Sequence, residues 1–177
     1  AVLSGRTDII SPRMMLSTTF RGKTELTLND IVFNKAAKAR MIHYVLSVNG
    51  LEIAALRADG LVVATPTGST AYSLSAGGPI LDGSMEAMVI TPICPHSLSF
   101  RPIVIDASSV VEISFLRINE GTTVSIDGQT SSGLAIHDVV RIARDRSSFL
   151  VVNNPVRTRW DTLATKLGWA NRPKYSN

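Results

Sequence analysis

Hydrophobic and polar residues alternate in short segments along most of this chain, which is typical of β-strands that bury one face. The clearest segment is 42–48, where every even-numbered position is apolar. Asn49-Gly50 follows it, and this dipeptide is the strongest short hairpin signal in the sequence. It predicts an antiparallel return through residues 51–56. Further strands are predicted at 14–20, 25–33, 61–64, 87–91, 102–105, 110–116, 122–126, 139–143 and 147–152.

The predicted strands are short, closely spaced and separated by turn dipeptides, with little helix between them. This organisation predicts a mainly β fold with one or two short helices, and a sandwich or curled sheet in preference to a closed barrel. The helices are expected at 69–76 and 161–167. Residues 1–12 have no hydrophobic period. We expect them to be a connection from a preceding segment, so that the chain is a fragment.

The stretch at 59–79 organises the rest of the chain. It opens with a buried strand, and the turn at 66–68 ends that strand because proline lacks a sheet donor and glycine permits a tight bend. A short helix is then expected, capped by Ser69 or Thr67. Two interpretations are open: the hydroxyl-rich turn presents backbone N–H groups to a ligand, or its hydroxyls only cap a surface helix.

The composition limits the classes of protein to which the chain can belong. Its 177 residues are 45% hydrophobic and 18% charged, which is enough for one domain with a substantial core. No apolar run reaches the roughly 20 residues that span a bilayer, and the first residues lack a signal-peptide pattern. The single cysteine, Cys94, excludes an internal disulfide. These features favour a cytoplasmic protein without a membrane partner.

The net charge is +4, and basic residues are concentrated in 141–177. A basic end either attracts phosphates or an acidic partner, or is simply a solvated face. Basic residues are not interleaved with several aromatic residues, so nucleic-acid binding is not predicted. The three histidines lack the spacing of metal ligands, and the sequence contains no glycine-rich nucleotide motif and no self-sufficient catalytic constellation.

Several polar residues stand where strands meet turns, and each has two open interpretations. Asp59 precedes a buried strand, where its carboxylate either binds ribose hydroxyls or an exocyclic amine, or simply belongs to an Asp-Gly turn. Arg57 pairs with Asp59 or faces a phosphate. Tyr72 stacks on an aromatic ring or packs in the core. Asn29-Asp30 interrupts an apolar strand, and buried polar groups of that kind need partners.

The segment at 65–79, TPTGSTAYSLSAGGP, resembles the signature of NAD kinases. Supporting matches are Leu28-Asn29-Asp30, Pro95-His96-Ser97-Leu98 with Arg101-Pro102, Asp127-Gly128-Gln129 and the segment at 162–169, so that the resemblance runs from about Arg13 to Trp169. It implies a β-rich C-terminal domain that supplies most of a dinucleotide pocket and the oligomer contacts. In such kinases this domain works with an N-terminal α/β domain that carries a Gly-Gly-Asp-Gly motif. Because the motif is absent from this sequence, residues 1–177 are expected to be the C-terminal domain alone and to be inactive in isolation.

The resemblance also implies which residues bind the dinucleotide. Asn29 and Asp30 correspond to a pair that holds the ribose, with Asp30 where the family usually has glutamate. Asp59, with Arg57 close by, corresponds to a carboxylate that contacts the dinucleotide, and Tyr72 provides a platform for a ring. Tyr72 and Asp59 are expected to line one shared hollow. The full implied set is Asn29, Asp30, Arg40, Arg57, Asp59, Thr70, Ala71, Tyr72, Ser73, Leu74, Ser75 and Gln129.

The function that the resemblance implies is phosphoryl transfer from ATP to the adenosine 2′-hydroxyl of NAD, which gives NADP. It implies NAD and ATP as substrates, Mg²⁺ as the divalent metal, and a homo-oligomer, either a dimer or a tetramer. Two alternatives are open: a non-catalytic nucleotide-sensing or assembly module, and a lipid kinase of the related superfamily. No residue of this chain is predicted to be catalytic or to bind a metal.

Overall fold

Twelve strands, two α-helices and one 3-10 turn form the part of the chain that the computed structural model describes, residues 9–36 and 40–168. The predicted connection at 1–12 lies mostly outside these ranges. The helices are α1 (Tyr72–Ser75) and α2 (Arg159–Leu167), and the 3-10 turn is Gly68–Thr70. The strands are β1 (Ile10–Phe20), β2 (Lys23–Thr27), β3 (Asp30–Asn34), β4 (Ile42–Val48), β5 (Leu51–Ala58), β6 (Gly60–Ala64), β7 (Ala87–Ile93), β8 (Ile103–Asp106), β9 (Val111–Arg117), β10 (Thr123–Ile126), β11 (Thr130–Gly133) and β12 (Val139–Val152).

The strands form two six-stranded sheets, in the orders β2-β1-β12-β9-β4-β5 and β11-β10-β3-β6-β7-β8. Antiparallel hairpins supply much of the pairing, as in β1 with β2, β4 with β5, and β10 with β11. Asn49 and Gly50 both adopt the left-handed backbone conformation, with φ of +52° and +78°. The hairpin predicted from this dipeptide is therefore confirmed, and so is the mainly β, sandwich-like fold.

The chain divides into a larger unit, Arg13–Phe149, and a smaller unit made of the chain ends, Ala1–Pro12 and Leu150–Asn177. In the larger unit the two sheets enclose the main core. Phe33 of the second sheet packs against Phe115 of the first, with ring centroids 5.6 Å apart. The buried Tyr44 hydroxyl donates to the Gly60 carbonyl, 3.3 Å away. These contacts fix the two sheets face to face.

The second sheet is buried on its outer face as well. Val32, Val62, Ala64 and Val89 form a separate apolar cluster there with Leu81, which returns over the sheet from the loop after β6. All five residues of β6 are buried as a result. Because side chains alternate along a strand, Ile31 and Phe33 enter the main core while Asp30, Val32 and Asn34 take the outer face.

The single strand predicted at 25–33 is wrong. β2 ends at Thr27 in the first sheet, and β3 begins at Asp30 in the second. The polar pair Asn29-Asp30 marks the point where the chain crosses between the sheets. The main-chain groups at the crossing bond to side chains, as with the Thr65 hydroxyl, which donates to the Leu28 carbonyl at 2.6 Å.

Three further strand predictions need correction. Residues 139–143 and 147–152 belong to one strand, β12, which continues through the exposed side chains of Arg144 and Arg146. β11 was not predicted because Thr130–Gly133 contains no hydrophobic pattern. β7 continues through Pro92, beyond the predicted end of this strand at residue 91. β8 pairs only with residues 87–90, so this proline lies on an uncovered edge where its missing N–H costs nothing.

The helix predicted at 69–76 is wrong in its extent and its caps. Ala71, with φ −93° and ψ −129°, breaks it into the 3-10 turn and the four-residue α1. Neither Thr67 nor Ser69 caps a helix. The Ser69 hydroxyl instead donates to the Pro66 carbonyl at 2.7 Å and accepts from the Leu81 N–H at 3.0 Å. This serine therefore fastens the loop that lies over the second sheet.

In the smaller unit, α2 confirms the helix predicted at 161–167. Thr158 and Asp161 form a capping box: the Asp161 N–H donates to the Thr158 hydroxyl at 3.2 Å, and the Thr158 N–H donates to the Asp161 carboxylate at 2.8 Å. Gly168, with φ +63°, ends the helix in the left-handed conformation. Across the described ranges, no helix is both long and apolar enough to span a membrane.

Candidate binding cleft

A polar cleft of about 340 Å³ opens on the outer face of the second sheet, beside the end of β6. Three elements build it: the outer face of β3 with the residue before it, the break at Ala71 before α1, and the end of β10 with the turn that follows. The register places Ser125 of β10 opposite Val32 of β3, so both residues belong to its floor. The cleft is lined by Asn29, Asp30, Val32, Asn34, Ala71, Tyr72, Ser125, Asp127 and Gly128.

The loop at 65–68, called the signature loop because it opens the segment that resembles the NAD kinase signature, contacts the backbone of Asn29. The Thr65 N–H donates to the Asn29 carbonyl at 2.9 Å, and the Gly68 N–H donates to the Thr65 hydroxyl at 3.1 Å. Gly68 lies so close that a Cβ at this position would stand 2.0 Å from the Asn29 carbonyl oxygen. Only glycine fits there, which explains the glycine in the loop without reference to a ligand.

Asp30 is the buried carboxylate of the cleft, with 6% of its surface exposed. Desolvation raises the pKa of Asp30 above its ordinary value, and the nearby negative charge of Asp127 adds to the rise. The backbone N–H of Tyr72 donates to the Asp30 carboxylate and opposes that rise. This donor is available because the non-helical Ala71 interrupts the helix just before Tyr72. A carboxyl group is therefore held at the cleft wall by one main-chain bond.

Tyr72 stands beside Asp30 with 41% of its surface exposed. A large aromatic side chain that is left so open next to a buried carboxylate can cover a flat ring. The alternative in which Tyr72 packs in the core is therefore wrong.

Only some of the predicted site residues meet in this cleft: Asn29, Asp30, Ala71 and Tyr72. Ser73 is turned away, since its buried hydroxyl is hydrogen-bonded to that of Thr91 at 2.9 Å and holds α1 on β7. Four more of the predicted residues do not line this cleft: Thr70, Leu74, Ser75 and Gln129.

Five residues of the cleft lining were not in the predicted set, and three of them have polar side chains: Asn34, Ser125 and Asp127. Asn34 and Ser125 follow from strand alternation once the register of β3 with β10 is known, but that register is not visible in the sequence. Asp127 was interpreted as part of a turn dipeptide and of a segment that supports the family resemblance, without a role in the site. Its carboxylate points back to the start of β3, where it accepts the N–H groups of residues 28–30. The Asp-Gly dipeptide was the available signal for its position, though not for its partners.

A second cleft, of about 460 Å³, contains the remaining predicted residues, Arg40, Arg57 and Asp59. Asp59 forms an ion pair with Lys35, with the Lys35 Nζ 3.0 Å from its Oδ1 atom. The sequence left open whether Arg57 pairs with Asp59 or faces a phosphate. Among the described residues, the ion pair of Asp59 is with Lys35 and not with Arg57. The cleft is basic and is lined by Lys35, Arg40, Met41, His43, Arg57, Asp59 and Arg117.

Tyr72 and Asp59 do not line the same cleft within the described part of one chain. Asp59 precedes β6 and Tyr72 follows it, so the length of that strand separates them. Within the described residues, Tyr72 and Asp59 are therefore not brought into the single hollow that was expected. The first cleft nevertheless extends along β3 as far as Asn34, which pairs with Gly60 beside Asp59.

The residues of the first cleft do not fit a magnesium site. In the described ranges, no three His, Cys, Asp or Glu side chains are grouped to hold a metal ion. The two carboxylates of the cleft, Asp30 and Asp127, are already hydrogen-bonded to main-chain N–H groups. Mg²⁺ requires several oxygen ligands in near-octahedral geometry, which this arrangement does not supply.

The fold and the cleft define a β-sandwich domain with a polar cleft on the outer face of one sheet. The chain belongs to the family of ATP-NAD kinase C-terminal domains, whose sequence model matches residues 28–154. A protein named NAD kinase from Geotalea daltonii is 41% identical over 168 residues, which cover 92% of this chain and 59% of that protein. The NAD kinase of Magnetococcus marinus is 40% identical over 166 residues and is covered to 55% of its length.

Solved structures give the same relationship. Yeast NADH kinase complexed with NADH superimposes with a TM-score of 0.88 at 29% identity, over 95% of this chain and 51% of that one. The NAD kinase of Archaeoglobus fulgidus in complex with ATP superimposes with a TM-score of 0.75 at 28% identity, over 88% of this chain and 60% of that one. The chain thus spans between half and two thirds of the length of these relatives.

Proposed function

We propose that this chain is the dinucleotide-binding domain of an NAD kinase, which transfers a phosphoryl group from ATP to the adenosine 2′-hydroxyl of NAD. The observation that carries the proposal is the meeting of Asn29, Asp30 and Tyr72 in one polar cleft. The family membership gives the reaction class, and relatives in complex with NADH and with ATP support the two substrates.

The cleft suits the adenosine half of NAD. Its volume is at the lower end of the range of small-molecule sites, which fits one nucleoside better than a whole dinucleotide. The Asn29 amide and the Asp30 carboxylate have acceptors for ribose hydroxyls, and the exposed Tyr72 ring can cover the base. In this role the chain binds and orients the 2′-hydroxyl, so its contribution to the reaction is positioning.

The second cleft suits an anionic or polar part of the same substrate. Four cationic side chains, Lys35, Arg40, Arg57 and Arg117, surround the single carboxylate of Asp59 there. A basic hollow of this kind attracts phosphate groups. Because it lies at the far end of β6 from Tyr72, we propose that the enzyme is a homo-oligomer in which the Asp59 cleft of one copy faces the Tyr72 cleft of another.

The catalytic base and the metal would then lie outside the described residues of this chain. The proposed partner for them is an N-terminal domain that carries a Gly-Gly-Asp-Gly motif, and the isolated chain is expected to form no NADP. The single cysteine is consistent with a cytoplasmic enzyme, and that location stays a prediction.

The test is an activity measurement on the complete product of the gene that encodes this chain. With ATP and magnesium it should convert NAD to NADP, and it should not phosphorylate an NAD analogue that lacks the adenosine 2′-hydroxyl. Diacylglycerol and sphingosine serve as competing acceptors. Phosphorylation of a lipid without NADP formation would identify a lipid kinase instead. NAD binding without any phosphorylation would identify a non-catalytic nucleotide module.

A further inference from the structure

Every main-chain N–H and C=O group of residues 28–30, at the edge of the first cleft, is hydrogen-bonded. All of the partner groups belong to two residues, Asp127 and Thr65. The N–H groups of residues 28–30 all donate to the Asp127 carboxylate: Leu28 to Oδ2 at 2.8 Å, and Asn29 and Asp30 to Oδ1 at 2.7 and 3.1 Å. One side chain therefore satisfies three consecutive donors at the point where the chain changes sheets.

The three carbonyl groups are satisfied from both sides of the segment. The Leu28 carbonyl accepts the Thr65 hydroxyl at 2.6 Å, and the Asn29 carbonyl accepts the Thr65 N–H at 2.9 Å. The Asp30 carbonyl accepts the Asp127 N–H at 2.9 Å. With the main chain fully bonded in this way, the side chains of Asn29 and Asp30 are left to face the cleft.

The turn between β10 and β11 gives Asp127 this reach. Asp127 and Gly128 both adopt the left-handed conformation, with φ of +49° and +66°, and the turn carries the carboxylate back toward the start of β3. Aspartate and asparagine tolerate this conformation better than other side chains that carry a Cβ. The carboxylate also lies near that of Asp30, a repulsive arrangement that the three N–H donors offset.

We propose that Asp127 is a positioning residue for the substrate: its carboxylate fixes the backbone of residues 28–30 and thereby aims Asn29 and Asp30 at the ribose of NAD. This inference rests on the proposed function. Asp127 lines the cleft, but both of its carboxylate oxygens are engaged by main-chain donors, so it acts through its neighbours.

Asp127→Asn is the matched variant, because it keeps the shape and the left-handed preference while removing one acceptor oxygen. Either orientation of the amide leaves an NH₂ group against at least one N–H of residues 28–30. The control is Asp138→Asn, which removes a carboxylate oxygen from the Ala135 N–H and from Arg21, away from the cleft. Both variants should lower the midpoint of thermal unfolding, but only Asp127→Asn should weaken NAD binding, by about tenfold.

The decisive experiment is a double-mutant cycle on the complete gene product, with NAD affinity measured by titration calorimetry well below the unfolding temperature. If Asp127 acts through Asn29, the Asp127→Asn/Asn29→Ala protein should lose less affinity than the product of the two single losses. A loss equal to that product, or an unchanged affinity in Asp127→Asn, would overturn the inference. Unchanged affinity in Asn29→Ala would overturn the proposed pocket as well.

Asp127→Ser keeps a short acceptor and repeats the cycle if the asparagine variant does not fold. If neither variant folds at low temperature, the carboxylate is required for the fold itself, and its assignment as a positioning residue is wrong.

Discussion

Gly68 and Asn29 are in direct main-chain contact: a Cβ built on Gly68 would lie 2.0 Å from the Asn29 carbonyl oxygen and 2.6 Å from its Cα. The loop at 65–68 therefore cannot come closer to the start of β3 without moving Asn29, which lines the cleft. This contact links the most distinctive motif in the sequence to the geometry of the site.

Gly68→Ala should disrupt both stability and binding. The added methyl group meets backbone atoms that cannot rotate away, so we expect a loss of about 2 kcal/mol or more in the free energy of unfolding. The shift of Asn29 should weaken NAD binding in the same variant. Gly133→Ala is the control, because nothing lies within 4 Å of a Cβ there and the change should stay within about 0.5 kcal/mol. Chemical denaturation and calorimetry measure the two effects, and equal stabilities for the two variants would contradict the contact.

Asp30→Asn should make the free protein more stable at neutral pH while weakening NAD binding. Burial raises the folded-state pKa of Asp30, so the folded state binds the proton more tightly than the unfolded chain does. Protonated Asp30 therefore stabilises the fold in acid. This stabilisation is lost as the pH rises from about 4 through the raised pKa, and it is absent at higher pH. Asparagine removes this titration and can still accept the Tyr72 N–H.

Asp106→Asn provides a control of opposite sign. The hydroxyl and N–H of Ser108 lower the pKa of Asp106, so that carboxylate stabilises the fold above its unfolded pKa and loses this effect in acid. Unfolding midpoints measured across the acidic range should diverge for the two variants. A parallel response would show that Asp30 is not held in a desolvated state.

The Tyr72 ring should contribute to binding through its face rather than its hydroxyl. Tyr72→Phe is expected to bind NAD within about twofold of the unchanged protein, whereas Tyr72→Ala should bind about tenfold more weakly. Because this residue is 41% exposed, neither change should greatly alter the unfolding midpoint. Loss of affinity in the phenylalanine variant would instead assign a polar role to the hydroxyl.

The separation of Asp59 from Tyr72 leads to a complementation test of the proposed oligomer. Asn29→Ala disables the first cleft and Asp59→Ala the second, so each homo-oligomer should be nearly inactive. If clefts from two copies form one site, mixed oligomers purified with two affinity tags should recover up to about half of the unaltered activity, since one of every two sites is then intact. Mixed oligomers as inactive as the separate variants would place each complete site within one chain.

The sequence predicted most strands and the class of fold because those features depend on local alternation. The segment at 42–48 and the Asn49-Gly50 turn are reproduced in full. The errors occur where tertiary contacts decide the outcome. Asn29-Asp30 was read as an interruption within one strand, although it is the crossing between two sheets, and only the partners Thr65 and Asp127 make that crossing favourable.

The site was predictable in its composition but not in its arrangement. The resemblance named Asn29, Asp30, Ala71 and Tyr72, and the fold brings these four together. Asp59 could not be placed, because the sequence shows a strand between it and Tyr72 but does not reveal that the two side chains line separate clefts. Ser73 could not be distinguished from its neighbours either, since only the packing of α1 on β7 directs its hydroxyl toward Thr91.

The most direct test of this account is a crystal structure of the complete gene product with NAD bound. We expect the adenosine ribose within hydrogen-bonding distance of the Asn29 and Asp30 side chains, with a ring of the dinucleotide against Tyr72. An adenosine bound elsewhere, with the cleft between β3 and the β10–β11 turn filled only by solvent, would contradict the assignment of this cleft as the dinucleotide site.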